Sequence, residues 1–430
     1  MFAFESLLHG SSKYGELATK YILSSSSGVR VEISSFGATI LGVWLKDINV
    51  APCFTEISEL ENRSLNPYLG ALIGRVAGRT SGAKVCEPVH ATLSSNDGEN
   101  SIHGGISGFD QKVWLLDETR SGTGSTFARV TLQYVSDSNE EGYPGKLQNR
   151  VTYSLMSSGE GKASLGIEIK SQLAPDQPIS TITPSCLTNH TYWTLTGSGG
   201  GHPSQLVEGE AHDLDVTMNA SRLLPQRESD WMPPSYRTVP AVIAKGVGGA
   251  GERGEEGMLD FSKPGKTLRE RIATLGTNNE IYPGAKVGSG INAYFRVDSW
   301  TLKPDRLHPL EDDTLELVAE SAHPRSLFER LLPAARFYES KSGRTMSVKT
   351  TFPGFVLYTN FGYPPIPPGS CICIETQYPT DSANEIIDKG CEDEIPRCLL
   401  RAACHCNKCE ESSIIQPEVM HDLTIHDFTF

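Results

Sequence analysis

Two stretches of the chain carry side chains whose types suit proton transfer. In LTNHTYWTLTG, Leu187 to Gly197, His190 lies among Thr, Tyr and Trp, residue types that favour strands. On one strand His190, Tyr192 and Thr194 share a face. An imidazole held there, with an ordinary pKa of about 6.5, is fit to give or take a proton near neutral pH. The same pattern also describes a packed, hydrogen-bonded core histidine. In SCICIETQYPTDSANE, Cys371, Cys373 and Glu375 alternate with Ile372, Ile374 and Thr376. A carboxylate at the end of a buried β run is costly unless it is paired or functional, although a strand-end glutamate facing solvent reads alike.

Other residues could hold a ligand for that pair. NSIHGG places His103 ahead of two glycines, where backbone can come close to a bound molecule; a solvated loop histidine fits equally. NPYLGALIGRVAGRTSGAKV offers Arg75 and Arg79 but has no GxxxxGK[ST] pattern, so a nucleotide cradle is unsupported. Cys391, Cys398, Cys404, Cys406 and Cys409 crowd into nineteen residues together with His405. Only Cys406 and Cys409 make a CxxC, so the tract reads either as a metal site or as a surface insertion with free thiols. Cys53, Cys86, Cys186, Cys371 and Cys373 are scattered through β-like sequence and read as buried thiols.

The elements that must position these groups are strands. YILSSSSGVRVEISSFGATILGVWLKD (21–47) reads as two or three of them, and KVWLL, FARVTLQYV, NRVTYSLMS and ASLGIEIKS follow in succession, separated by Gly-, Ser- and Asp-rich loops. HDLDVTMNASRLLP adds a strand and turn, TMSVKTTFPGFVLYTNF returns to strands, and the tail alternates like a terminal strand. SLFERLLPAARF (326–337) is the best helix candidate, though it could run into a strand. The pattern predicts an all-β, mainly antiparallel sandwich. Surface insertions are expected at about 233–257, 300–330 and, Cys-rich, 386–413, within a single domain over 1–430. With 430 residues, 38% hydrophobic and 21% charged, the chain can bury a sizeable core. A net charge of −14 argues against nucleic acid and anionic membranes as partners. The N-terminus lacks the basic and apolar regions of a signal peptide, and a cytoplasmic location is expected.

Several of these segments, in this order, resemble the aldose 1-epimerase (galactose mutarotase) family: SSFGATILGVWLKD, NPYLGALIGRVAGR, NSIHGGISGFDQKVW, LTNHTYWTLTG, LDFSKP, SGRTMSVKTTFPG and IETQYPTDSAN. They spread over nearly the whole chain. The resemblance implies a galactose-mutarotase-like β-supersandwich with a carbohydrate cleft. It implies that His190 is the acid that protonates the sugar ring oxygen and Glu375 the base that takes the anomeric hydroxyl proton, the two lying on opposite sides of the ring. Arg79 and His103 would bind and orient the sugar. Ring opening, rotation of the free aldehyde and reclosure then exchange the α and β anomers of a free aldohexose, galactose or glucose first. No cofactor or metal is implied, and the partner is a small sugar, with the chain a monomer or weak homodimer. Three sugar-contacting positions depart from the family pattern: Asn292 stands for an aspartate, Val356 for a glutamine and Gly78 for an asparagine. Those changes bear on which sugar is used, and they motivate a second reading, a sugar-binding or regulatory protein with weak or no turnover.

Overall fold

The computed structural model describes residues 1–197, 201–224, 226, 230–233, 239–240, 261–274, 285–286, 290–298, 327–360, 363–384, 398–401 and 419–430. The chain begins with β1 (Phe2–Ser11), β2 (Leu17–Ser25), β3 (Val29–Ser34), β4 (Thr39–Leu45) and β5 (Ile48–Asn49). Long strands β6 (Phe127–Ser136), β7 (Leu147–Gly159) and β8 (Lys162–Leu173) follow, then short β9 (Tyr192–Trp193), β10 (Asp215–Met218) and β11 (Arg222–Leu224). The rest supplies β12 (Gly290–Arg296), β13 (Leu332–Tyr338), β14 (Thr345–Thr350), β15 (Gly354–Tyr358), β16 (Ile372–Gln377) and β17 (Val419–Thr429).

Among the described residues these strands build three main sheets. The first is five-stranded, β1 to β5 in sequence order; the second is nine-stranded with the run β6-β7-β8-β17-β14-β13-β10; the third is seven-stranded with the run β9-β16-β15-β12-β11. Every strand pair in them is antiparallel. The architecture agrees with the all-β expectation.

Alternation along each strand decides which face is covered. In β8, Ala163, Leu165, Ile167 and Ile169 are buried while Lys162 and Lys170 are not, so one face of the nine-stranded sheet meets the core. Its inner face meets the turn that leads into β4 of the first sheet through Tyr153, whose hydroxyl donates to Ala38 O at 2.6 Å. It touches the third sheet through Trp193, packed on His426 and Phe428, and through the Thr376 and Thr424 hydroxyls, 2.7 Å apart. One continuous cluster of buried apolar side chains runs through all three sheets. All six residues of β16 are buried: Ile372 and Ile374 join that core, and the opposite face is the floor of a cleft.

Some local expectations are corrected. The N-terminal residues, read only for targeting, form β1 against β2. LTNHTYWTLTG is not one strand: Thr188–Asn189 pairs with Leu72–Ile73, and β9 pairs separately with β16. Cys86 is exposed, whereas Cys53, Cys186, Cys371 and Cys373 are buried as expected. SLFERLLPAARF is a short 3-10 turn, Leu327–Arg330, running into β13, and Leu327 packs on Leu423 and Ile425 of β17. Cys398 is buried and Leu399–Arg401 pairs with Ile182–Pro184, so this part of the Cys-rich tract is core. Cys391, Cys404, His405, Cys406 and Cys409 lie outside the described residues, as do 241–257 and 300–326.

Phe295 on β12 is fully buried, stacked on Phe355 at 5.8 Å and edge-on to Phe261. Phe295→Ala should destabilise the protein by about 3–5 kcal/mol, read as a lower urea midpoint with an unchanged slope. A loss below about 1 kcal/mol would contradict this packing.

Candidate active site

The register of the third sheet sets the floor of the cleft. Tyr192, Cys373, Tyr358 and Asn292 lie side by side across β9, β16, β15 and β12. One step along, Glu375 lies beside Val356 and Tyr294; a further step places Gln377 beside Gly354. Because β-strands have a period of two, Cys373, Glu375 and Gln377 share the face opposite Ile372 and Ile374. Cys373 packs with Tyr192 in a second, smaller apolar cluster, and Glu375 and Gln377 line the cavity.

His190 reaches this floor from a pinned kink. Its N–H donates to Ala71 O (2.9 Å) and its carbonyl accepts from Gly70 N–H (3.0 Å). The Asn189 side chain donates to Gly70 O (2.8 Å) and accepts from the Thr191 N–H (3.2 Å) and hydroxyl. This Asx-type bonding offers the backbone an alternative to the ladder, which is why the strand breaks at His190. His190 Nε2 then lies 3.5 Å from Glu375 Oε1, and its Nδ1 lies 3.4 Å from Cys373 Sγ.

His103 stands on a tight turn. Its φ is +53°, and Gly104 follows at φ +88°, where a Cβ would fall 1.8 Å from Gly74 O; only glycine fits there. Asn96 holds the turn, accepting from Ile102 N–H and donating to Ile102 O and Gly105 O. His103 N–H donates to Gly78 O (3.0 Å) while Gly78 N–H donates to His103 Nδ1 (3.3 Å). With Nδ1 accepting, the neutral ring carries its proton on Nε2, so His103 presents a donor. The His103 and His190 rings meet edge-on at 5.1 Å, with Tyr68 against both. Arg79 is held by Asp97 at 2.6 Å. Arg75 faces the other way: it is buried and donates to Pro144 O, Gly145 O and Thr183 Oγ1, holding loops together.

These groups enclose a cavity of about 240 Å³, below the roughly 300–1,000 Å³ usual for drug-sized ligands and suited to a single ring. His190, Glu375, Arg79, His103, Gly78, Asn292 and Val356 all line it. Tyr68, Trp231, Gln226, Gln377 and Thr380 line it too, and these were not singled out from the sequence. Gln377 had a signal, its period-two spacing from Glu375; Tyr68 and Trp231 had none beyond being aromatic. Asp298, an acid near Asn292 in sequence, instead accepts from the Ser221 N–H and hydroxyl and does not line the cavity.

Burial dominates the electrostatics. It pushes the Glu375 carboxyl up to about 8, opposed by the Arg79 guanidinium, and the His190 imidazole down to about 4. It also drives His103 well below its usual value, with the charges of His190 and Arg79 acting the same way. The contact at 3.5 Å is within ion-pair range, yet burial favours a carboxylic acid beside a neutral imidazole. Val356, directly beside Glu375, offers no hydrogen bond to a carboxylate, and a buried ion pair needs such bonds to offset desolvation. Either form holds one exchangeable proton between the two groups and no net charge. Donor atoms of His103, His190 and Glu375 lie within 4.8 Å of one another, a set of metal-ligand types. The Nε2 proton that Gly78 imposes on His103 suits this set to hydrogen bonding rather than coordination.

The sequence model of the aldose 1-epimerase family matches residues 19–247. The chain belongs to the aldose 1-epimerase family. It is 33% identical over 210 residues to the galactose mutarotase of Sus scrofa, across 47% of this chain and 53% of that protein. It is 28% identical to that of Bos taurus, across 84% of this chain and 85% of that one. The chain thus spans about half the length of the first relative and most of the second. Its fold matches the crystal structure of a galactose 1-epimerase from Lactobacillus acidophilus, with a TM-score of 0.68 at 20% identity over 100% of this chain and 99% of that one.

For an aldose 1-epimerase chain built this way, the raised carboxyl has a consequence for stability. Glu375 keeps its proton to higher pH when folded than the ordinary 4.5. The stabilisation from holding that proton is therefore complete below about pH 4.5 and is lost as pH rises through about 8. Glu375→Gln, whose amide does not titrate, should match the wild type near pH 5 and exceed it in thermal stability at pH 9. An equal Tm at both pH values would mean that the carboxyl is not desolvated.

Proposed function

We propose that this chain is a mutarotase, interconverting the α and β anomers of a free aldohexose, galactose first and glucose second. The observation that carries the reading is the buried Glu375–His190 pair, 3.5 Å apart, on the floor of a cavity sized for one ring. Ring opening removes a proton from O1 and delivers one to O5. Both oxygens are bonded to the anomeric carbon, so a base and an acid 3.5 Å apart suit an approach from one edge of the ring rather than a clamp from opposite sides. Glu375 as carboxylate takes the O1 proton and His190 as imidazolium protonates O5. The product state, acid beside neutral imidazole, is the form that burial favours, and reclosure on the other face of the aldehyde returns both protons. Arg79 favours the carboxylate when it is needed, and the His103 Nε2–H donates to a sugar oxygen. Asn292 supplies an uncharged amide where the resemblance expects an aspartate.

We also read residues 1–430 as one domain, which the continuous core supports. Among the described residues no helix is long and apolar enough to cross a membrane. The six described cysteines form no disulfide, in keeping with a reducing, cytoplasmic setting.

The test is NMR exchange or polarimetry on α-D-galactose and α-D-glucose. Equilibration should run faster than in buffer, and Glu375→Gln or His190→Asn should lower kcat by about 10²–10⁴, the usual share of general acid–base catalysis. No acceleration with any aldohexose, or full activity in Glu375→Gln, would overturn the assignment. The pH profile is a second check. Between about pH 4 and 8 the pair carries one proton, so kcat/KM should fall below that window as His190 gains a proton and above it as Glu375 loses one. A profile flat through pH 9 would place the titrating base elsewhere.

A further inference from the structure

The cavity has a second polar wall that the proton transfer does not use. Gln377 is fully buried, yet neither its side-chain oxygen nor its nitrogen has a hydrogen-bond partner among the described residues. Gln226, 3% exposed, donates to the Thr380 hydroxyl at 3.1 Å, while its own carbonyl oxygen is likewise unpartnered. Buried polar groups are normally satisfied, and leaving one unsatisfied costs more than a typical hydrogen bond gains. Three such atoms on one cavity wall point to a polar ligand.

The neighbours leave the Gln377 amide unbonded. Gly354, beside Gln377 in the register, carries no side chain, and the Tyr294 hydroxyl takes that place, 2.3 Å from where a Cβ would stand. Gly78, at φ +73°, sits so that a Cβ would lie 3.3 Å from Gln377 Nε2 and 3.7 Å from Thr380 Oγ1. A longer side chain at position 78, such as the asparagine that the resemblance expects, would therefore lie over the Gln377 amide and could satisfy it. With glycine there, the Gln377 amide, which lines the cavity, keeps no hydrogen-bond partner among the described residues. On the other side, Val356 offers only hydrocarbon.

We propose that Gln377 and Gln226, which line the cavity with unbonded side-chain atoms, form a subsite for hydroxyl groups of a neutral sugar and set which aldose the chain accepts. This rests on the mutarotase reading above. The subsite presents two carbonyl oxygens and one amide NH2. It accepts hydrogen bonds from hydroxyls and donates to them, and it disfavours a phosphate or carboxylate substituent, which would face the two carbonyl oxygens. Gln377 lies two residues beyond Glu375 on β16, roughly 6–7 Å along the strand. It therefore addresses hydroxyls away from the anomeric carbon.

The experiment pairs Gln377→Leu with a panel of monodeoxy sugars, read by NMR exchange. Wild type should lose about tenfold in kcat/KM on one deoxy sugar. Gln377→Leu should lose about as much on the parent sugar and little more on that deoxy sugar. Equal further losses on every deoxy sugar, or an unchanged rate on the parent, would overturn the subsite. Thermal unfolding without sugar separates binding from a structural role, because removing an unsatisfied buried amide should raise the midpoint; a midpoint several degrees lower would also overturn it. Absence of exchange in the wild type with every sugar would sink the mutarotase reading instead. The subsite would then be judged by galactose-induced thermal stabilisation of the wild type: its loss in Gln377→Leu supports the subsite, and its retention overturns it.

Discussion

The desolvation of one carboxyl group governs this structure. Glu375 is 5% exposed on a strand buried on both faces, and a carboxylate there has few of the partners that would keep it ionised cheaply. Much else in the cleft can be understood as managing that burden. Val356 lies beside it as hydrocarbon, His190 Nε2 waits at 3.5 Å to share its proton, and Arg79 stands by as the opposing charge, itself held by Asp97. A carboxyl titrating near neutrality is useful to a proton-transfer site because the same group can be acid or base within one turnover.

Burial on this scale needs the sandwich behind it. The floor strand β16 is covered on one side by the nine-stranded sheet, through contacts such as Thr376 to Thr424, and its other side is the cavity. The histidines come from outside the sheet and are held by backbone hydrogen bonds, His190 to the 70–71 segment and His103 to Gly78. Glu375 and His190 therefore sit on different supports, one fixed by strand register and the other by a side-chain-capped kink. Their separation is set by the pairing of Tyr192 with Cys373, where the two supports meet.

The sequence made the fold class legible because alternation is a local signal, visible in VRVEIS and ASLGIEIKS without knowledge of partners. The candidate site was legible residue by residue where short motifs survive: all seven expected site residues line one cavity. What stayed hidden depends on long-range pairing. The break at His190 comes from Asn189 bonding to Gly70, 119 residues away. Cys398 looked like part of an exposed thiol tract, and only its neighbours' pairing with Ile182–Pro184 makes it core. Asp97 gave no sign of holding Arg79, because an Asn-Asp-Gly turn suggests only a loop.

The altered positions can be ordered by what each does to a ligand. Val356 touches the chemistry, since it removes a hydrogen-bond partner from beside Glu375 and so favours the protonated carboxyl. Asn292, two strands away from β16, changes a charge-assisted contact into a neutral one. Gly78 acts by omission, leaving unbonded the Gln377 amide that a side chain there would approach. On the proposed mutarotase reading, Glu375 and His190 stay in place while positions 78, 292 and 356 differ, so the reaction and the choice of sugar would rest on different residues of the same strand, Glu375 and Gln377.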